Sequence, residues 1–398
     1  ASGVNTITTA QGTVNTSGIS TVTTAQGTVN MSGVNTVTTA SSRVSMSGIN
    51  TINTANGNVL VTGHANTITT NQGNVWMSGA TATVTNAAGG DIYLTGNSST
   101  VTNANGGRIF ITGAGATIQT SQGTLNITGY NNTVTTANGT VNASGVNTIT
   151  TAAGTTNASG VNTITTAEGT VNASGINTVT TAQGTVNMSG VNTVTTASAR
   201  VSMSGINTIT TNNGTALITG HANTITTNSS NVWMSGATST VTNANGGDIF
   251  MTGNTSTVTN ADGGRIFVTG STSTVTNANG GIINISGYTA SVATSQGTLN
   301  ITGKEVTVTT ANGAVVISGG KGCTNTVTTA NGKVTMTGTN TVTSAAGTVN
   351  MSGANTVTTA SSRVSMSGIN TITTANGTVL VTGHANTISS NAGNAWMS

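Results

Sequence analysis

Apolar residues alternate with small polar ones in short stretches along the whole chain, and the stretches repeat. In residues 17–31, SGISTVTTAQGTVNM, the segments Thr21-Val22-Thr23 and Thr28-Val29-Asn30-Met31 change character at every step. A period of two puts Val22, Val29 and Met31 on one face of an extended chain and the Thr and Asn side chains on the other, so each copy predicts two short β-strands. The β-branched Val, Ile and Thr that fill these positions suit pleated structure. Ala25-Gln26-Gly27 and Ser32-Gly33 separate the strands, with glycine where a tight corner needs it.

With the Val or Ile of the N-T-[VI]-T-T segment as marker, 25 copies run from Ile7 to Ile388. The step is 15 residues from Ile7 to Val22, 16 from Ile52 to Ile68 and 17 from Val84 to Val101. Such steps are too short for helical-hairpin repeats and fit one coil of two strands and two turns. The reading is all-β: a two-sheet parallel β-solenoid, or β-helix, running as a single continuous domain over residues 1–398. Coils stacked at about 4.8 Å pair each strand with its own copies, and 25 rungs would span about 120 Å. The inner positions are Val, Ile, Leu, Met and Ala, for example Val14, Val29, Val44, Ile92 and Leu125. Asn5, Asn35, Asn50, Asn66, Asn132, Asn147 and Asn162 recur before the Thr-x-Thr strand and are expected to stack as an amide ladder.

A longer period lies over the first. Arg43, Arg200 and Arg363 recur ten coils apart, as do His64, His221 and His384, and Trp76, Trp233 and Trp396. Both ends of the chain cut into this ten-coil block, and no atypical capping coil is visible at either. Bare terminal rungs are open sheet edges. The expectation is a segment of a longer repeat protein, or chains that join end to end.

Composition narrows the function classes. The chain is 34% hydrophobic, 3% charged and 2% aromatic, with 54 Gly and no Pro. Its formal net charge of +3 comes from 8 Lys and Arg against 5 Asp and Glu, too sparse a field to neutralise many phosphates, so nucleic acid is not expected as a partner. One cysteine, Cys323, excludes an intrachain disulfide framework. No apolar run reaches membrane-spanning length, and membrane insertion is not expected.

The strongest candidate site is the outward position of the second strand. Most coils carry Asn or Ser there, but consecutive coils carry Leu60, Trp76, Tyr93 and Phe110, then Leu217, Trp233, Phe250 and Phe267, then Leu380 and Trp396. The alternation of Val75 and Met77 about Trp76 puts these side chains outside. The result is an apolar stripe that calls for a partner, with ring-on-ring stacking as the plainer account. Beside it Asp91 and Arg108, and again Asp248 and Arg265, fall at equivalent sites on adjacent coils, as charges expected to fix register against a partner rather than to hold the coils together.

The second candidate is the other strand. Thr-x-Thr occurs in 21 of the 25 coils and lines up two columns of hydroxyls and methyls, with Thr21 and Thr23, Thr36 and Thr38, Thr148 and Thr150, and Thr163 and Thr165 among them. In this the chain resembles the Thr-x-Thr faces of ice-binding β-solenoids, and its step is similar to that of bacterial ice-nucleation repeats, whose tyrosine and serine positions it lacks. The resemblance implies an ice-binding face as the alternative function.

Catalysis has little support. The histidines lie ten coils apart and cannot meet, and Asp91, Glu168, Asp248, Asp262 and Glu305 are too dispersed for a paired-carboxylate mechanism. Gly89-Gly90 and Gly106-Gly107 precede no helix that could make them phosphate loops. No cofactor or metal is expected. The one irregular corner, Gly319-Gly320-Lys321-Gly322-Cys323, reads as a relaxed insertion.

In architecture and composition the chain resembles the β-solenoid repeat regions of very long bacterial extracellular fibres and adhesins. The resemblance implies a non-enzymatic structural protein at the cell surface or outside the cell. Its expected partners are copies of itself, met sideways through the aromatic stripe and end to end, with contact to ice or another ordered surface as the alternative.

Overall fold

A computed structural model of the chain describes residues 1–398 apart from 87, 104–106, 244, 246, 261–263, 278–280, 321 and 390–391. It is a parallel β-solenoid, 91% strand and without helix among the described residues, of about 23 coils where the sequence marks 25 copies. The strands are β1 (Ser2–Thr9), β2 (Thr13–Asn56), β3 (Val59–Gln72), β4 (Val75–Asn86), β5 (Ile92–Asn103), β6 (Arg108–Thr166), β7 (Thr170–Asn243), β8 (Ile249–Asn260), β9 (Arg265–Asn277), β10 (Ile282–Thr302), β11 (Glu305–Ser318), β12 (Thr324–Ile388) and β13 (Ala395–Met397). The chain divides into two compact units, Ala1–Thr193 and Val194–Ser398.

In the first unit each coil lies on the next in parallel register. Ile7 sits on Val22 and Thr6 on Thr21; further along, Ile164 sits on Val179 and Gly160 on Gly175. The second unit repeats the pattern, with Val258 on Val275 and Val275 on Val292. Two separate strands per coil were expected, but β2 runs unbroken for 44 residues. The reason is that the corners pair as well as the strands do. A Cβ on Gly18 would lie 2.3 Å from the carbonyl oxygen of Gly3 one coil below, and Gly18 holds φ at +102°. Only glycine satisfies both demands, so like corners stack on like and the ladder of hydrogen bonds continues around the bend.

Inside, Val22, Val29, Val37, Val44, Ile68 and Val84 are wholly buried, each worth roughly 1.5–3 kcal/mol relative to exposure. One expectation is corrected here. The Thr and Asn side chains do not all face outward: Asn147, Asn162 and Asn177, and the second Thr after the marker residue in many coils, such as Thr24, Thr151 and Thr166, are buried beside the apolar residues. Strict alternation from the marker residue sends them in, and hydrogen bonds let them stay. The Thr24 hydroxyl donates to the Gln26 carbonyl at 3.1 Å and Thr166 to that of Glu168 at 2.8 Å, closing the corner that follows. The expected amide ladder is present: Asn132 donates to Asn147 at 2.8 Å, Asn147 to Asn162 at 2.7 Å and Asn162 to Asn177 at 2.7 Å. Each Nδ2 also reaches backbone carbonyls, as Asn147 does those of Gly145 and Ser159 at 3.2 Å. A buried amide paired this fully avoids the penalty of an orphaned group and pins each coil to its neighbour.

Candidate functional site: the outward columns

Outside the core the solenoid presents columns of side chains in axial register. On the strand that follows the Ala-x-Gly corner, Leu60 sits on Trp76, Trp76 on Tyr93 and Tyr93 on Phe110. Trp233, Phe250 and Phe267 repeat the arrangement in the second unit, and Leu380 pairs with Trp396. The rings stack with nearly parallel planes. Centroids of Trp76 and Tyr93 are 5.8 Å apart and those of Tyr93 and Phe110 4.8 Å, with 5.7 and 4.8 Å for the second trio. Stacking covers the ring faces and leaves the edges outward. Tyr93, Phe110, Phe250 and Phe267 are therefore half-buried, whereas Leu60, Leu217 and Leu380 are each close to half exposed and Trp76, Trp233 and Trp396 are exposed as well.

The flanking charges meet each other. Arg108 donates through Nε to Asp91 at 3.1 Å, with a second bond through its terminal nitrogen, and Arg265 binds Asp248 in the same two-pronged way. The guanidinium bond holds each Asp carboxyl below the usual carboxylate range, against a smaller opposing effect of burial. The Asp91 amide is tied in turn to the Asn74 side chain at 3.0 Å and that of Asp248 to Asn231 at 3.1 Å. Each pair joins adjacent coils of the chain itself at the edge of the ring column.

Elsewhere the same outward column is an amide ladder: Asn142 donates to Asn126 at 2.8 Å, Asn157 to Asn142 at 2.7 Å and Asn172 to Asn157 at 2.8 Å. On the other strand the threonine columns are exposed as expected, at Thr21, Thr23, Thr36, Thr38, Thr148, Thr150, Thr163 and Thr165. A third exposed column beside them was not foreseen. Val4, Ile19, Val34, Ile49, Val146, Val161, Ile176 and Val191 follow the corner glycine and are all solvent-exposed. The signal was in the S-G-[VI]-N-T motif. Two residues before each outward Thr, parity sends the Val or Ile outward, even though an apolar residue invites the opposite assignment.

Other candidate chemistry stays dispersed. His64, His221 and His384 are exposed, Asp262, Gly106 and Lys321 lie outside the described residues, and Cys323 is buried. Among the described residues no three His, Cys, Asp or Glu side chains cluster in a way that could hold a metal ion. Lys304 is 4.8 Å above the Tyr288 ring centroid and donates to its hydroxyl at 2.9 Å, an inter-coil contact of the corner column. No helix among the described residues is long and apolar enough to cross a membrane. No protein-family model, no curated protein and no solved structure matches the chain.

Proposed function

We propose that the chain is a structural protein of extracellular filaments, in which solenoids associate sideways with copies of themselves through the ring columns. The observation that carries this reading is the Leu-Trp-ring-ring column, built twice in the same order with nearly the same stacking distances, at an outward position of the strand that in most other coils holds Asn or Ser. Intramolecular stacking accounts for the ring faces. It does not account for the exposed Leu60 and Trp76 at the start of the column, or for Leu217 and Trp233 at the start of the next. Contiguous apolar side chains left in water favour a partner, and a second copy offers a column with the same axial spacing.

A chain with only 3% charged residues is poorly protected against association. In a filament that association is the purpose. The fibre-type and adhesin-type settings suggested by the architecture, and the extracellular location, belong to the same proposal.

Tryptophan fluorescence tests it directly. Assembly of the wild-type chain should move indole emission to the blue as Trp76 and Trp233 leave water. Trp76→Asn combined with Trp233→Asn should keep the circular dichroism of the solenoid and remove the column-to-column contact from averaged electron images. Emission that does not shift on assembly would remove the reason for naming this column.

A further inference from the structure

The strand after the glycine corner presents three outward side chains per coil. Val161-Thr163-Thr165 lies in register on Ile176-Thr178-Thr180, with Asn162 and Ile164 pointing inward between them. Val161 is 46% and Ile176 58% exposed, and the four threonines are exposed. In the 15-residue coils of the first unit this aliphatic-Thr-Thr face contains no titratable side chain.

We propose that this face is the seat of a second copy of the chain, laid face to face on the same surface of its partner. The inference goes beyond the ring-column reading and does not depend on it, because the face lies on the other strand of each coil.

Three observations favour a copy over another occupant. The first is spacing. Every column repeats at the rung distance of about 4.8 Å, so a partner that engages several consecutive rungs must carry the same repeat, and this chain does. The second is charge. A face without ionisable groups neither repels its own copy nor selects a charged partner.

The third is area. Five residues of strand are about 17 Å across and a dozen rungs about 58 Å long. The outward face of this strand in the first unit therefore offers on the order of 1,000 Å², against about 800 Å² per partner in an interface of ordinary size; the aliphatic residue stands on eight of its rungs, in two sets of four, with Ala65, Thr81, Ser98 and Gly115 in the ring coils between them. The chemistry is compatible. β-Branched methyls of Val, Ile and Thr from two facing sheets can interlock at the usual sheet-to-sheet distance of about 10 Å, with threonine hydroxyls free to bond across. The contact uses the same patch on both partners, so it closes as a pair.

The test uses the full chain carrying Trp76→Asn and Trp233→Asn, so that ring-column contacts are silenced, and reads association by sedimentation velocity over a concentration series. The parent should associate. Adding Val146→Lys, Val161→Lys and Ile176→Lys should leave it monomeric, since adjacent rungs would then carry like charges. Adding Val146→Thr, Val161→Thr and Ile176→Thr instead should keep the β-branched outer surface and the circular dichroism while weakening association at least tenfold.

A parent that stays monomeric at every concentration would overturn the proposal. A lysine variant that associates as the parent does would overturn it too. So would a monomeric parent that shapes growing ice crystals, which would assign the face to ice. The ring-column reading fails separately, if wild-type assembly leaves indole emission unchanged.

Discussion

The coils around Val161 and those around Trp76 share one core and differ in almost everything that touches it. In the first region the outward column is an amide ladder, Asn142 to Asn157 to Asn172, and the apolar exposure sits on the corner column at Val146, Val161 and Ile176. In the second the outward column holds Leu60, Trp76, Tyr93 and Phe110, and the corner column turns to Ala65, Thr81, Ser98 and Gly115. In these two regions each coil exposes one apolar column, on one strand or on the other.

The interior changes in step. Where the rings stack outside, the inner amide ladder gives way to Ala82, Ser99 and Ala116, and in the second unit to Ser239, Ser256 and Ser273 beneath Trp233, Phe250 and Phe267. The amide ladder restarts after the rings at Asn132, whose Oδ1 has no donor. One axial ladder thus stands in for the other. The β-solenoid needs a directional element to hold coil on coil, and either stacked rings or stacked amides supply it. Backbone pairing and the buried Val and Ile are common to both.

The inner column gives the largest expected contrast. Asn162→Ala removes an amide that donates to Asn177 and to the Gly160 and Ser174 carbonyls and accepts from Asn147. The neighbouring buried amides lose partners, and at roughly 1–3 kcal/mol for each orphaned group the loss should be about 3 kcal/mol. Ser256→Ala, at the equivalent place in a ring coil, should be within about 0.5 kcal/mol of neutral or slightly stabilising, because that hydroxyl is buried with no protein partner. Amide hydrogen exchange in the mutated coil and its two neighbours measures both changes locally, which suits a repeat architecture better than a single global midpoint. Equal effects at the two sites would break the idea that one ladder replaces the other.

The outer column sharpens the same comparison. Phe250→Asn interrupts two stacks, those with Trp233 and with Phe267, and places one amide between rings. At about 0.5–1.5 kcal/mol per stack beyond lost burial, local stability should fall by about 1–3 kcal/mol. Replacing all three rings, with Trp233→Asn, Phe250→Asn and Phe267→Asn, should cost less than three times as much. The new amides can bond one another and Asn284, which sits on Phe267 and already accepts from Asn300 at 2.9 Å. The sub-additivity is the quantity to measure.

How much of this could be read in advance depends on which property of a residue is consulted. Spacing and parity were reliable. The repeat gave the parallel solenoid and the amide ladder, and the flanking Val75 and Met77 put Trp76 outside. Polarity misled where it disagreed with parity. Polarity alone would put Asn162 and Thr166 at the surface and Val161 in the core, whereas the first two are buried and the third is exposed. Counting in twos from Ile164 assigns all three correctly. Hydropathy assigns all three wrongly, because hydrogen bonds between coils make an inward amide acceptable and the glycine corner leaves an outward valine no neighbour to hide behind. The pairing of Asp91 with Arg108 was foreseen as adjacency; its two-pronged geometry depends on side-chain conformation that spacing does not carry.

The smallest expected effect separates the two regions by acidity. In the folded chain the Arg108 hydrogen bond lowers the pKa of Asp91, and Arg265 does the same for Asp248; the regular coils around Val161 have no such pair. A carboxyl held below its unfolded value of about 3.9 binds its proton more readily in the unfolded chain. The contribution of the pair is therefore complete above that value and is lost as pH falls past it toward the lower folded value. Amide protection in the ring coils should decline below about pH 4, while protection around Asn147 and Asn162 stays level. Asp91→Asn should remove that decline from the first ring column and leave it in the second, where Asp248 remains. The Arg108 side chain is mostly in solvent, so the effect is modest and should shrink further as salt is raised. A decline that is equally steep in the variant would place the acid-sensitive group elsewhere than in this pair.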